Sequence, residues 1–262
     1  MGDVLLLLVT GSVAGLFAGL LGIGGGVVIV PVLVLVFEYQ GLDPSIIMHS
    51  AIGTSLATIV FTSISSIRVH QVHKAIIWDV FWKMTPGIIL GAWIGTLVAD
   101  ALPSDILKLI FAPFLLLVAI QFALNKQPKP QRSLPEKKGL IGVGIIVGSI
   151  SSLFGIGGGA LNVPFLAWCN VSIRKAVATS AAIGLPIAVT GTLGFIISGW
   201  KSELMSDWSI GYINLIAALS IISATAIAAP YGAKLAHRIP VVLIKRIFAG
   251  LLVLVVIKLI TS

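Results

Sequence analysis

The sequence predicts an all-α polytopic membrane protein with two inverted-topology repeats, each a broken, re-entrant-like helical hairpin plus three transmembrane helices. Three observations predict this fold. Of its 262 residues, 58% are hydrophobic and 10% are charged, with a mean hydropathy of +1.12, whereas soluble domains carry about 25% charged residues. Apolar stretches long enough for helices follow one another along the chain. One glycine-rich motif occurs twice, in the same order relative to its neighbours.

The apolar stretches form two groups on either side of a polar linker, residues 125–138. This linker contains three prolines and five basic residues, a composition typical of an extended, solvated segment. It separates a first repeat, residues 1–124, from a second repeat, residues 139–262. The stretches lie at 4–21, 25–37, 46–66, 76–99 and 105–124, and then at 139–154, 158–169, 176–198, 209–230 and 241–260.

The duplication is also visible residue by residue. The segment GLLGIGGGVVIVPVL matches SLFGIGGGALNVPFL, AIGTS matches AVATS, and a longer segment ending in IFA recurs near the end of each repeat. Three matches in the same order are evidence for an internal repeat. The matched ranges are 19–33 with 152–166, 51–55 with 176–180, and 95–112 with 232–249.

The first apolar region of each repeat has the wrong length for a simple crossing. A helix needs about 20 residues to cross the hydrocarbon core, so 4–37 is too long for one crossing, while 25–37 and 158–169 are too short. Each region is interrupted by GIGGG and contains a proline. We predict that the chain turns near mid-membrane at the glycines and returns, with Pro31 and Pro164 as structural kinks.

Charge predicts the orientation of the repeats. A hairpin followed by three crossings inverts the second repeat relative to the first. With both termini outside and the linker in the cytoplasm, all 17 basic residues lie inside except Lys108, Lys201 and Lys258. All nine acidic residues then lie outside except Asp79 and Glu136. This asymmetry follows the positive-inside rule and predicts a multi-pass protein of the cell inner, or cytoplasmic, membrane.

The doubled G-I-G-G-G-x-x-x-x-P motif, the A-x-[GA]-T-S that follows it, and the repeat centred on the linker resemble the sulfite exporter TauE/SafE family. The resemblance covers nearly the whole chain. It implies a bacterial-type membrane transporter that exports sulfite or small organosulfonates. The substrate class is implied by this resemblance alone.

The glycine runs are the first candidates for substrate binding. Each run opens a short returning half-helix, whose first N–H groups lack intrahelical partners and carry a partial positive charge. Two such ends facing one cavity would form an anion site without a fixed cation. The alternative is a pair of tight turns that only pack against other helices. The predicted binding glycines are Gly24, Gly25, Gly26, Gly157, Gly158 and Gly159.

Hydroxyl and amide side chains follow each glycine run. Hydroxyls can donate to anion oxygens, or instead bond to a preceding turn or a neighbouring helix. Asn162 stands where the first repeat has Ile29, and it either contacts a polar group of the ligand or is a satisfied structural amide. The predicted hydroxyl ligands are Thr54, Ser55, Thr179 and Ser180.

A series of small residues predicts close helix packing, a small-xxx-small face, rather than binding. Gly87, Gly91 and Gly95 form this series in the first repeat, and their counterparts in the second are Ala224, Ala228 and Gly232.

Several functions are disfavoured by the composition. All nine acidic residues lie outside the predicted spans or at their edges, which argues against a cation pump. The spans hold no nucleophile with a buried base, so we predict no enzyme, no catalytic residues and no cofactor. The single cysteine and the dispersed histidines predict no metal site. The net charge of +8 is explained by cytoplasmic loops rather than by nucleic-acid binding.

The predicted function is therefore a transporter of a small anion by alternating access around a midplane site formed by the two GIGGG half-helices. An anion channel, or a transporter of a carboxylate or an inorganic oxyanion, remains the alternative. The predicted partners are the small anion and the lipid bilayer. The coupling ion, the direction of flux and the oligomeric state stay open, with a homo-oligomer as one alternative.

Overall fold

The computed structural model describes residues 2–21, 26–124, 132–200, 202, 204, 208–236 and 241–261. Its first repeat contains α1 (Gly2–Leu21), α2 (Gly26–Tyr39), α3 (Ile47–Val72), α4 (Trp78–Ala101) and α5 (Ser104–Leu124). Its second repeat contains α6 (Lys137–Leu153), α7 (Gly159–Trp168), α8 (Ile173–Gly199), α9 (Leu215–Ala236) and α10 (Val241–Thr261). Each predicted apolar stretch therefore forms a helix, and the all-α fold class is confirmed.

One departure from the prediction lies just before α9. The stretch 209–230 begins with two short antiparallel strands, β1 (Ser209–Ile210) and β2 (Ile213–Asn214), before the helix starts. Gly211 has a φ of +55° and stands first in the two-residue turn, where a glycine allows the tight hairpin geometry. The apolar residues of this hairpin gave the sequence the appearance of a continuous helix.

Among the described residues, the helices α3, α4, α5 and α8 are long and apolar enough to cross a membrane. Large apolar side chains also remain outside the packed core. Leu109 and Leu117 on α5, for example, are 69% and 67% exposed. Such surfaces fit a chain that lipid, rather than water, surrounds.

The half-helix α2 lies in the centre of the molecule. Its first six residues are buried, as are Leu33, Val34, Val36 and Phe37 further along it. A helix that is apolar on all sides is expected in the interior of a fold. The first glycine run therefore leads directly into the core.

The packing of the helices follows the repeat. The two most extensive helix contacts join α4 to α6 and α1 to α9. These pairs are equivalent, because each joins the first helix of one repeat to the fourth helix of the other. The helices α3 and α8 pack on each other, and so do α5 and α10. The two repeats therefore interlock, since α1 packs on α9 and α6 packs on α4.

Small residues bring the exchanged pairs together. A methyl group added at Gly87, Gly91 or Gly95 would overlap backbone carbonyl groups of α6, so α4 and α6 touch along their backbones. On the other side, a methyl group at Gly11 would lie 2.8 Å from the Ala224 side chain, between α1 and α9. The predicted role in helix packing is confirmed for Gly87, Gly91, Gly95, Ala224 and Ala228, whereas the surroundings of Gly232 lie outside the described part of the structure. The contacted carbonyls belong to Ile141, Ile145 and Ser149.

Candidate functional site

The second glycine run forms a turn between α6 and α7 that only glycine accommodates easily. Gly155 and Gly158 have φ values of +66° and +74°, in the left-handed region that disfavours a side chain. Gly158 immediately precedes α7, and its carbonyl accepts hydrogen bonds from the N–H groups of Leu161, at 3.1 Å, and Asn162, at 2.8 Å. The predicted break at GIGGG is therefore present in the second repeat.

The first glycine run is described only in part. Gly24 and Gly25 lie outside the described residues, whereas Gly26 begins α2. A methyl group on Gly26 would lie 2.7 Å from the Gly155 carbonyl oxygen and 3.1 Å from Ile156 Cα. The start of α2 thus lies directly against the turn of the second repeat, so the two glycine regions meet in the core.

The prolines lie in the second turn of each half-helix, Pro31 in α2 and Pro164 in α7. Neither proline ends its helix. Each removes the N–H that would bond to the carbonyl four residues earlier, which belongs to Val27 in α2 and to Ala160 in α7. Both half-helices therefore carry the same backbone irregularity close to their glycine ends.

Three of the four predicted hydroxyl ligands are engaged by protein groups. The Ser55 hydroxyl donates to the Gly155 carbonyl at 2.8 Å. The Thr54 hydroxyl accepts the N–H of Asn214 at 3.0 Å, and the Thr179 hydroxyl accepts the N–H of Ile77, also at 3.0 Å. The Ser55 bond holds α3 against the turn of the second repeat, and the proton of Ser55 is directed to the backbone rather than toward a ligand.

The other predicted ligands differ from these. Ser180 is fully buried, and its hydroxyl has no hydrogen-bond partner in the described part of the chain. Asn162 is also fully buried, and neither its Nδ2 nor its Oδ1 has a partner there. Since buried polar groups are normally paired, these atoms mark a place where a ligand or water can bind.

The polar side chains of the buried interior are uncharged. Within the described residues, the buried polar side chains are hydroxyls, Asn162 and His49, and no Lys, Arg, Asp or Glu is among them. The described ion pairs lie nearer the surface, between Lys83 and Asp79 and between Lys108 and Glu38. An anion in this interior would be held by hydrogen bonds and helix ends.

The described residues contain no group of three or more metal-ligating side chains. Cys169, directly after α7, is buried, and burial raises the pKa of its thiol although nearby Arg132 partly opposes this. This thiol is therefore a poor metal ligand and a poor nucleophile at neutral pH.

The model of the sulfite exporter TauE/SafE family matches residues 7–259 of this sequence. The chain belongs to this family. No solved structure matches it significantly. The family and its named relatives indicate a membrane transporter, as the repeated motif and apolar helices predict.

TauE/SafE relatives in distant organisms cover most of the chain. A probable membrane transporter protein of Haemophilus influenzae is 38% identical over 257 residues, covering 97% of each chain. One of Methanocaldococcus jannaschii is 32% identical over 238 residues, covering 89% of this chain and 85% of its own. One of Bacillus subtilis is 31% identical over 214 residues, covering 74% of this chain and 78% of its own.

Two polar residues in this TauE/SafE chain were missed by the sequence analysis. In the described part of the chain, the hydroxyl of Ser151, which is fully buried in α6, has no hydrogen-bond partner. The same holds for Nδ1 of His49, which is 4% exposed and is the third residue of α3. Ser151 stands where the first repeat has Ala18, so comparing the repeats position by position is the signal that could have found it.

Proposed function

We propose that this TauE/SafE protein carries a small anion, sulfite or a small organosulfonate, across the cytoplasmic membrane. The anion would bind between the two glycine regions near the midplane, and access would alternate as one repeat moves against the other. The observation that carries the proposal is the contact between Gly26 and Gly155, because it joins the glycine regions of the two repeats. Family membership supports transport, and the substrate is our proposal.

Charge complementarity favours an anion at this place. Each half-helix contributes roughly +0.5 elementary charge at its N-terminus, so two ends facing one ligand offer about one positive charge. The described interior holds no buried carboxylate to oppose it. A small oxyanion fits this field, whereas a metal cation would find no charged ligand.

We further propose that both termini lie outside and that the linker lies in the cytoplasm. The guanidinium carbon of Arg132, in the middle of the linker, lies 5.0 Å from the centre of the Trp168 ring, and the backbone N–H of Arg132 donates to the Trp168 carbonyl at 3.4 Å. Trp168 ends α7, while Arg132 precedes α6 by only a few residues. The α6–α7 hairpin therefore begins and ends at nearby points, which supports a re-entrant segment rather than a crossing.

Uptake into proteoliposomes tests the proposal. Labelled sulfite and several organosulfonates are offered to the purified full-length protein, to a Gly158→Ala variant, and to Gly142→Ala as a control. Gly142 lies on the same hairpin, but a methyl group there meets nothing within 4 Å. We expect saturable flux that falls in Gly158→Ala and persists in Gly142→Ala.

The outcomes separate the parts of the proposal. If none of these anions is carried by folded protein, the substrate assignment is wrong. Normal flux through folded Gly158→Ala would show that the turn at Gly158 is not part of the binding site. Counterflow distinguishes a carrier from the alternative anion channel, since only a carrier is accelerated by substrate on the opposite side.

A further inference from the structure

Polar atoms without partners gather on the second repeat. Asn162, Ser151 and Ser180 are each fully buried, and within the described part of the chain the Asn162 amide and both serine hydroxyls have no hydrogen-bond partner. Leaving a buried donor or acceptor unpaired costs about 1–3 kcal/mol. Three such side chains in one region indicate that something outside the protein pairs them.

Asn162 and Ser151 border the same point beside the glycine turn. A methyl group on Gly158 would lie 2.9 Å from Asn162 Nδ2 and 3.5 Å from Ser151 Oγ. Ser151 belongs to the helix that enters the turn and Asn162 to the half-helix that leaves it. Both side chains therefore border Gly158, at a place where Ile187 Cδ1 also packs, 2.7 Å from the same added methyl group.

The third side chain approaches from α8. A methyl group on Gly184 would lie 2.9 Å from the Gly157 carbonyl oxygen, and Ile187 Cδ1 lies beside Gly158. Residues three and four apart share one face of a helix, so Ser180 occupies the same face of α8, one turn before Gly184. Gly184 and Ile187 on this face cover the turn, and Ser180 lies on the same face one helical turn nearer the start of α8.

The first repeat lacks this polar set. Its counterparts to Ser151 and Asn162 are Ala18 and Ile29, and Ile29 is fully buried among apolar side chains of the core. Its counterpart to Ser180 is Ser55, whose proton is already donated to Gly155. At these three pairs of corresponding positions, the side chains left unpaired in the described residues thus all belong to the second repeat, although the backbone of the fold is duplicated.

The chemistry of an amide limits the ligand. A side-chain amide presents N–H donors on one end and a carbonyl acceptor on the other, and both ends of Asn162 are unpaired. Oxygen atoms of an anion can accept from Nδ2 and from the serine hydroxyls, but they cannot satisfy Oδ1. A ligand that also carries an N–H or O–H donor pairs Oδ1 as well, without the help of a water molecule.

We propose that Asn162, Ser151 and Ser180 form the ligand pocket, and that it selects a monoanion carrying a hydrogen-bond donor beside its acceptor oxygens. A hydroxylated or protonated oxyanion belongs to this class. Asn162 Oδ1 accepts from that donor, and Ser151 is a further binding residue. This inference rests on the proposed function, since it specifies the ligand at the same glycine turn.

Matched pairs of anions test the selection. Ethanesulfonate and 2-hydroxyethanesulfonate are both permanent monoanions of similar size, and propane-1-sulfonate and 3-hydroxypropane-1-sulfonate form a second pair. Each anion competes with the labelled anion that the purified full-length protein carries. We expect the hydroxylated member of at least one pair to compete at least about tenfold better, because its analogue leaves the buried acceptor unpaired.

Variants locate the effect. The quantity compared is the ratio of competition by the hydroxylated anion to competition by its analogue. Asn162→Leu keeps the approximate volume of the side chain and should bring this ratio close to one in each pair. Ser151→Ala should reduce the ratio. Ser152→Ala is the matched control, because the Ser152 hydroxyl already donates to the Ala92 carbonyl at 2.9 Å. Its ratio should remain that of the unmodified protein.

Failure of this inference is distinguishable from failure of the proposed function. Equal competition within both pairs, no competition by either pair, or an unchanged ratio in folded Asn162→Leu, would overturn the pocket while leaving anion transport intact. An absence of flux for every anion tested would instead overturn the proposed function.

Discussion

The Thr54 hydroxyl accepts the backbone N–H of Asn214 at 3.0 Å, although 160 residues separate the two in sequence. An equivalent bond joins Thr179 to the N–H of Ile77, also at 3.0 Å. Each threonine lies on the central helix of its own repeat, and each N–H immediately precedes a helix of the other repeat. The two bonds therefore tie the repeats together reciprocally, and their positions correspond across the duplication.

Replacing Thr54 or Thr179 with valine should destabilise the protein. Valine keeps the shape but leaves a backbone N–H without its acceptor, which costs about 1–3 kcal/mol for a buried group. Thermal unfolding of the purified protein measures the effect. Thr85→Val is the control, because the Thr85 hydroxyl only bonds to the Phe81 carbonyl of its own helix. Equal unfolding temperatures for all three variants would contradict the prediction.

Gly91→Ala should also destabilise the protein, by separating α4 from α6. The added methyl group would overlap the carbonyl of Ile145, and forcing extra volume into a packed contact costs about 1–3 kcal/mol. Gly250→Ala on α10 is the matched control, because a methyl group there meets nothing within 4 Å. A helix interior favours alanine over glycine, so the control should be neutral or stabilising.

The elements of the fold could be predicted because each depends on a local signal. Apolar length predicts the helices, and the interruption at GIGGG predicts the break between α6 and α7. The hairpin before α9 escaped prediction since its apolar strands differ from a helix only through the turn at Gly211. In the same way, the glycines Gly87, Gly91 and Gly95 predict that α4 packs closely on another helix, but they do not identify that helix as α6.

The candidate site was less predictable because its contacts join distant parts of the chain. The sequence indicated that Thr54 and Ser55 were polar groups near the glycines. It could not indicate that Asn214 and Gly155 would occupy their hydroxyls. Burial was also hidden, since the depth of Ser151 depends on how α6 packs against other helices.

The re-entrant hairpin can be tested by labelling cysteines with a membrane-impermeant maleimide, added to intact cells for the outer side and to inside-out membrane vesicles for the cytoplasmic side. In a Cys169→Ala background, we expect Lys138→Cys and Ser172→Cys to react from the cytoplasmic side, and Gln40→Cys from outside. All three residues are exposed, and Lys138 and Ser172 lie on either side of the α6–α7 pair. If Ser172→Cys instead reacted from outside, the pair would be a single crossing.

The native cysteine serves as the control for labelling. Cys169 is 4% exposed, and burial raises the pKa of its thiol. Because the thiolate is the reactive form, a raised pKa lowers the reactive fraction at neutral pH, and the rate should increase as the pH rises. Unsubstituted protein should therefore label much more slowly than Gln40→Cys. Rapid labelling would contradict the buried position.

Two serines at corresponding positions should respond to alanine in opposite ways. Ser55→Ala removes a protein hydrogen bond to Gly155, so it should lower stability by about 0.5–1.5 kcal/mol. Ser180→Ala removes a hydroxyl that has no partner in the described part of the chain, so stability should be unchanged or increased. If Ser180 binds the anion, its removal should nonetheless raise KM for the transported anion. Thermal unfolding and uptake kinetics on the same preparations separate the effects. If Ser180→Ala lost stability but kept its KM, the Ser180 hydroxyl would be structural. Removing a hydroxyl that pairs only with the ligand should affect ligand binding and leave the stability of the ligand-free protein unchanged.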